Sequence, residues 1–171
     1  MNLEAHQKLV NEYLATKKHG KSLDLIKGIF REYLFGMRRV YVRVNRGRVY
    51  VRMKRSWGIR EGQEFSIRIT QIFIKIIDFI YIENFGNKKF GNVFRKEPKT
   101  VAGTLFYIIA NSTAVIADSP RVTTYDMYFF ELGQPAITRL YKELCRLLGI
   151  KFKRGERGIN TFSIPPRFAG K

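Results

Sequence analysis

The most regular pattern in the chain lies in residues 38–57, RRVYVRVNRGRVYVRMKRSW, where valine alternates with arginine and tyrosine. Successive side chains of a strand point to opposite faces, so this alternation predicts two half-buried strands. A turn at Arg46-Gly47 would let Gly47 adopt the positive φ that two-residue hairpin turns require. The register that follows pairs Val40 with Met53, Val42 with Val51, Val44 with Val49, and Asn45 with Arg48.

This register predicts a hairpin with one apolar face and one cationic, aromatic face. The opposite face from the valines would carry Arg39, Tyr41, Arg43, Arg48, Tyr50, Arg52 and Lys54. No acid occurs between residues 33 and 60, so such a face can place forked donors on phosphates and rings on bases or sugars. The alternative is a solvated face whose tyrosines and arginines only stabilise cross-strand pairs.

The rest of the first half is predicted to alternate helices and strands. Helical spacing of apolar residues predicts a short helix over residues 2–16, and KKHGK (17–21) reads as a solvated linker. Ser22 is expected to cap a second helix that runs to about Gly36. After the hairpin and a polar loop, EFSIRIT predicts a third strand, and isoleucine spacing over residues 71–86 favours a helix.

The second half begins with residues 100–117, which carry no charge. Their asparagine, serine and threonines favour a buried helix over residues 100–112 rather than a membrane span. Strands are predicted near 113–117 and 123–131, followed by a helix that starts around Pro135 and ends at Gly149. A last hairpin is expected around residues 154–158, with Ile150, Phe152, Phe162 and Ile164 on its inner face and Lys151 and Lys153 pointing outward.

The order of elements indicates an α+β protein with antiparallel sheets and packed helices. Helix, two strands, helix, strands occurs in both halves, which suggests two pseudo-symmetric αββαβ-type repeats over residues 22–98 and 99–166. Residues 1–21 are assigned to the short helix and linker, and residues 22–171 to a single nucleic-acid-binding domain.

The net charge of the chain is the feature of its composition that most directly indicates a class of binding partner. The 171 residues contain 32 lysines and arginines against 14 acids, a formal net charge of +18. Such a surplus in a folded domain favours nucleic acid, DNA before RNA, rather than a membrane surface. Cys145 is the only cysteine, so a reducing compartment is expected, cytoplasmic or nucleoid-associated, and the source could equally be a virus or an organelle. With only two histidines, a zinc site or a catalytic triad is not expected.

The candidate binding residues combine the hairpin face with neighbouring cations. Trp57 follows the hairpin and could stack on an unpaired base or anchor the loop. The full set is Arg38, Arg39, Tyr41, Arg43, Arg46, Arg48, Tyr50, Arg52, Lys54, Arg55, Trp57, Lys88, Lys89, Lys151, Lys153 and Arg154.

Residues 104–113, TLFYIIANST, resemble a degenerate form of the helix that names the LAGLIDADG homing endonucleases and maturases. Paired strands, the helix ITRLYKELCRLLGI and a basic hairpin beginning KFK follow in a similar order. In the first half, FSIRITQ and its sequel up to ENFGNKKFGNVF resemble the strand, helix and glycine passage of the same fold. The resemblance extends over residues 22–164 at the level of layout.

This resemblance implies two halves packed through helices rich in small residues such as Ala102, Gly103 and Ala110. Two sheets would form a saddle along the DNA major groove. The family cleaves DNA with Mg²⁺ held by an acid at the foot of each such helix. Here the matching positions carry Asn111 and the segment Gly36-Met37-Arg38, and the nearest acids, Glu32 and Asp118, lie away from them.

The resulting expectation is a DNA-binding protein that does not cleave its ligand and needs no cofactor. One alternative is a Mg²⁺-dependent endonuclease of the LAGLIDADG type, with Glu32 or Asp118 as a substitute ligand. Another is a structural component of a nucleoprotein particle such as a ribosome or virion. A homodimer or a nucleoprotein partner is compatible with each of these functions.

Overall fold

A computed structural model describes residues 3–15, 18–39, 41–45, 48–52, 59–84, 97–112, 134–154 and 160–170 of the chain. The elements in chain order are α1 (Leu3–Ala15), α2 (Lys21–Arg39), β1 (Tyr41–Asn45), β2 (Arg48–Arg52), α3 (Ile59–Asn84), α4 (Pro98–Ala110), α5 (Gln134–Leu148), β3 (Lys151–Arg154), β4 (Asn160–Ser163) and α6 (Pro166–Ala169). The strands predicted at 113–117 and 123–131 lie outside the described residues.

The fold is α+β, as predicted, and the described part is mostly helical. It contains two separate antiparallel ribbons, β1–β2 and β3–β4. An isolated parallel bridge between Ser112 and Phe162 joins the end of α4 to β4, with the Phe162 N–H donating to the carbonyl of Asn111 at 3.1 Å. This bridge attaches the second ribbon to the helical core. The predicted pseudo-symmetry stays a prediction.

The core centres on three phenylalanines from three helices. Phe30 of α2 stacks on Phe73 of α3 with ring centroids 3.7 Å apart, and Phe106 of α4 meets Phe30 edge-on at 5.7 Å. All three rings are fully buried. Helix α1 packs on α3, and α2 packs along α4. Burial of this apolar surface is what stabilises helices whose isolated propensity is modest.

Helix α4 is buried on every side from Val101 to Ala110, because its sequence is apolar all round and rich in small residues. Pro98 occupies the first turn, where its missing N–H is not needed. The prediction of a buried helix here is confirmed. No helix in the described part of the chain has the combination of length and apolar character that crossing a bilayer requires.

Helix α3 replaces the predicted third strand. Residues 64–70 lie inside a single helix of 26 residues, which also takes in the part of the predicted loop from Ile59 onward. The prediction was wrong because a period-two apolar run was treated separately from the residues that follow it. Ile69, Ile72, Phe73, Ile76, Ile77 and Ile80 form one buried stripe at helical spacing. Packing of that stripe overrides the strand propensity of isoleucine.

Helix α2 begins two residues earlier and ends three residues later than predicted, so Ser22 lies inside its first turn rather than at its cap. Gly20 precedes the helix with φ of 90°, and its carbonyl accepts the Asp24 N–H at 2.9 Å. The Asp24 carboxylate in turn accepts the backbone N–H of His19 at 3.0 Å. These bonds start the helix at Lys21. The predicted solvated linker also contains a buried side chain, since His19 is only 3% exposed.

Candidate nucleic-acid interface

The first candidate ribbon follows directly from the end of α2. Arg38 and Arg39 are the last two residues of that helix, and β1 begins at Tyr41. The observed register pairs Tyr41 with Arg52, Val42 with Val51, Arg43 with Tyr50, Val44 with Val49, and Asn45 with Arg48. The predicted register is therefore confirmed over these strands. It is the register on which the prediction of a valine face and an arginine-tyrosine face depends.

Several predicted binding residues lie outside the described residues, together with one predicted catalytic candidate. They are Arg46, Lys54, Arg55, Trp57, Lys88, Lys89 and Asp118. The predicted pair of Val40 with Met53 and the predicted turn at Gly47 also lie outside the described residues. Their roles stay predictions.

The second candidate ribbon is positioned by the end of α5. Gly149 adopts φ of 70°, and the Ile150 N–H donates to the carbonyl of Cys145 at 2.9 Å, which ends the helix and turns the chain into β3. Arg154 pairs with Asn160 and Lys151 with Ser163, so the predicted hairpin is confirmed. This ribbon and β1–β2 are separate sheets, so the structure groups the candidate residues into two sets.

The cations of β3 are exposed and carry no ion pair. Lys151, Lys153 and Arg154 are all exposed, and among the described side chains none lies within salt-bridge distance of them. Charges left without a protein partner are available to an external anion. The prediction that Lys151 and Lys153 point outward is confirmed.

An aromatic cluster holds this ribbon against α4 and α5. Phe162 is fully buried between Tyr107 of α4 and Tyr141 of α5, with ring centroids 5.8 and 5.7 Å away. Burial raises the pKa of Tyr107, so its hydroxyl stays protonated. Phe152 meets Tyr141 edge-on at 5.3 Å. Phe152 pairs with Phe162 and so shares the inner face as predicted, but it is 43% exposed because β3 is at the margin of the core.

The foot of α4 is polar, neutral and buried. Asn111 is fully buried, and Ser112 is 5% exposed with an Oγ that makes no hydrogen bond within the described part of the chain. Glu32, the other described catalytic candidate, is exposed on α2. Among the described residues, no group of three or more His, Cys, Asp or Glu side chains could hold a metal ion.

One polar cluster was missed in the sequence. His19 lies between Asp78 of α3, 2.5 Å from its Nε2, and Lys27 of α2, whose ammonium is 3.0 Å from its Nδ1. Lys27 also contacts the Asp24 carboxylate at 3.0 Å. Only the Lys27–Asp24 pair has a spacing, i,i+3, that a sequence can reveal, since Asp78 is 59 residues from His19.

A line of cations along α5 was also missed. Arg139, Lys142 and Arg146 are exposed, and none of them forms an ion pair within the described part of the chain. Their spacing of three and four residues places them on one side of the helix. That spacing is visible in the sequence, but the prediction for this helix used only its apolar stripe.

Comparison with protein families, with characterised proteins and with solved structures finds no significant match. The LAGLIDADG resemblance therefore stays a prediction from the residues quoted above.

Proposed function

We propose that this protein binds nucleic acid, DNA in preference to RNA, by gripping the phosphate backbone with the β1–β2 ribbon. The observation that carries the proposal is the register of the ribbon. Arg43 pairs with Tyr50 and Tyr41 with Arg52, as the cationic, aromatic face requires. Arginine forks match phosphate oxygens in pairs, and tyrosine rings stack on bases or sugars.

Electrostatics supports the same partner. The chain carries a formal net charge of +18, and the exposed cations of β3 have no internal partners in the described structure. A protein that neutralises phosphates releases condensed counterions, so its affinity falls steeply with salt. Six such contacts would give a slope of log affinity against log salt of about −5.

We propose that the protein binds without cutting. Under the LAGLIDADG resemblance, the residue at the foot of α4 should be an acid that holds Mg²⁺, whereas this position is the buried, neutral Asn111. The packing of α2 along α4 is what the resemblance implies for the two founding helices of the halves. It supports a shared architecture and supplies no catalytic group. A nucleic-acid-binding role suits the reducing compartment expected for a chain whose one cysteine, Cys145, is buried.

The test is a salt-titrated binding assay on duplex DNA, single-stranded DNA and RNA. Arg43, Arg48 and Arg52 are changed together to alanine, and the matched control changes Lys8, Lys18 and Lys21, which are exposed cations that belong to neither ribbon. We expect the ribbon variant to lose roughly tenfold or more in affinity and about 2.5 units of salt slope. The control should lose much less, although it removes the same charge.

Equal losses in the two variants would reject the ribbon as the binding surface. Mg²⁺-dependent nicking that disappears in Glu32→Ala would establish the endonuclease instead. Each protein is therefore incubated with plasmid DNA with and without Mg²⁺ before binding is measured.

A further inference from the structure

Helix α5 and strand β3 together present six exposed cations. They are Arg139, Lys142, Arg146, Lys151, Lys153 and Arg154. None forms an ion pair within the described structure, including with Glu143, which is spaced to reach both Arg139 and Arg146. A charged helix face that serves only solubility normally mixes the two signs.

The N-terminal helices show that contrast within the same molecule. Exposed Lys8 is followed by exposed Glu12 on α1, and exposed Arg31 by exposed Glu32 on α2. Cations there lie among acids. The excess of six cations over the one acid Glu143 in α5 and β3 is thus a local property and does not simply reflect the net charge of the chain.

The helix and the strand are adjacent in the structure. Tyr141 of α5 contacts Phe152 of β3, and one glycine-led turn joins the two elements. The cations of α5 span about 10 Å along the helix axis, and the cations of β3 span about the same length of strand.

Strand β3 also carries an exposed aromatic ring. The large apolar side chains that are exposed in the described part of the chain are Leu25, Ile82 and Phe152, and only Phe152 is aromatic. In β3 its side chain shares a face of the ribbon with Arg154, whereas Lys151 and Lys153 point to the opposite face. A cationic surface with an aromatic ring is the arrangement that holds unpaired strands, because every base offers a face for stacking.

We propose that α5 and β3 form a second nucleic-acid-binding surface, which holds a single strand by its phosphates and stacks one base on Phe152. This inference rests on the proposed function, and it adds the residues of α5 and a preference for unpaired nucleic acid. The ribbon β1–β2 then holds one segment of the ligand and the α5–β3 surface an unpaired one.

The test compares a labelled single-stranded oligonucleotide with the same sequence as a duplex. Changing Arg139, Lys142 and Arg146 together to alanine should lower single-strand affinity at least fivefold more than the Lys8, Lys18 and Lys21 control. It should also reduce the single-strand salt slope by about 2 units. All six positions are exposed, so both variants keep the core intact.

Phe152 is tested by two substitutions. Phe152→Leu keeps an apolar contact for Tyr141 but removes the stacking ring, and it should weaken single-strand binding roughly tenfold with little change on duplex. Phe152→Tyr keeps the ring and should retain the preference. An equal effect of Phe152→Leu on both ligands would overturn the stacking role.

The two proposals fail in different ways. Absence of binding by the unaltered protein would reject the proposed function and this inference with it. Binding that is weakened in the Arg43, Arg48 and Arg52 variant, while the α5 variant behaves like the control, would keep the proposed function and overturn the second surface.

Discussion

Lys27 of α2 and His19 of the preceding segment form a buried pair, with the ammonium 3.0 Å from Nδ1 of the imidazole. Because an ammonium can only donate, Nδ1 accepts and Nε2 carries the proton that faces the Asp78 carboxylate. The pair therefore links the segment before α2 to both α2 and α3. His19 also meets the ring of Tyr81 edge-on at 5.5 Å, which orients the imidazole.

Removing this imidazole should destabilise the protein. His19→Ala deprives the buried Lys27 ammonium of one partner and opens the contact with Tyr81, so we expect the free energy of unfolding to fall by about 2–3 kcal/mol. Urea unfolding at neutral pH measures the change. Lys18→Ala, an exposed neighbour, should stay within about 0.5 kcal/mol of the parent protein. Equal stabilities for the two variants would mean that the network contributes nothing.

Asp24 should make stability depend on acid pH. Burial alone would raise the pKa of Asp24, but the His19 N–H and the Lys27 ammonium outweigh it and hold the pKa below its usual value. A lowered folded-state pKa stabilises the fold above the unfolded value near 4, and this contribution is lost as pH falls through the folded-state pKa. The carboxylate is more than a third exposed, so the contribution is about 1 kcal/mol or less.

The measurement for Asp24 is urea unfolding of Asp24→Asn and the parent protein at pH 7 and at about pH 3. The variant should be less stable at pH 7, and the difference should shrink in acid. Glu32→Gln, which changes an exposed acid of the same helix, should show no comparable convergence. A difference for Asp24→Asn that does not vary with pH would contradict the prediction.

Alanine substitutions at two glycines should change the stability of the protein in opposite directions. Gly149 has φ of 70°, and an added Cβ would lie 3.2 Å from Nη2 of Arg167, so Gly149→Ala should cost about 1 kcal/mol of stability or more. Gly28 lies within α2 with open space around it, so Gly28→Ala should add about 0.5–1 kcal/mol. Thermal and urea unfolding measure both. A loss of stability in Gly28→Ala would show that α2 needs a glycine there for a reason other than propensity.

Cys145 should be unreactive in the folded protein. Its side chain is 2% exposed, and burial raises the pKa of the thiol to about 12, so almost no thiolate is present at pH 8. A thiol-specific reagent at pH 8 should label the unfolded chain in urea within minutes and the native chain only as fast as it opens. Rapid, complete labelling of the native protein would contradict the burial of α5 against the core.

Local sequence patterns were sufficient to predict an element when its own residues form a regular pattern. The β1–β2 register follows from valine alternation about a turn, and α5 from an apolar stripe that ends at Gly149. The strand predicted at residues 64–70 was wrong because a short run of alternating apolar residues also occurs in helices. The buried stripe from Ile69 to Ile80 shows that this segment is helical, and the stripe is recognisable only when the longer segment is considered.

The candidate site also has some features that the sequence predicts and others that it does not. The outward lysines of β3 were predictable from strand alternation, whereas the exposure of Phe152 depends on how far the core extends beneath β3. The partners of His19 could not be predicted, because Asp78 reaches it only after α3 has packed beside the segment that precedes α2.

The sequence by itself determined the α+β class, the surplus of positive charge, the register of β1–β2 and the presence of the second hairpin, because these depend on composition and on neighbours a few residues apart. Tertiary structure alone decided that Phe30 stacks on Phe73, that His19 is buried between Asp78 and Lys27, and that Tyr141 of α5 meets Phe152 of β3. Contacts between residues far apart in the chain form only when apolar faces pack, and no local pattern encodes which distant side chains that packing brings together.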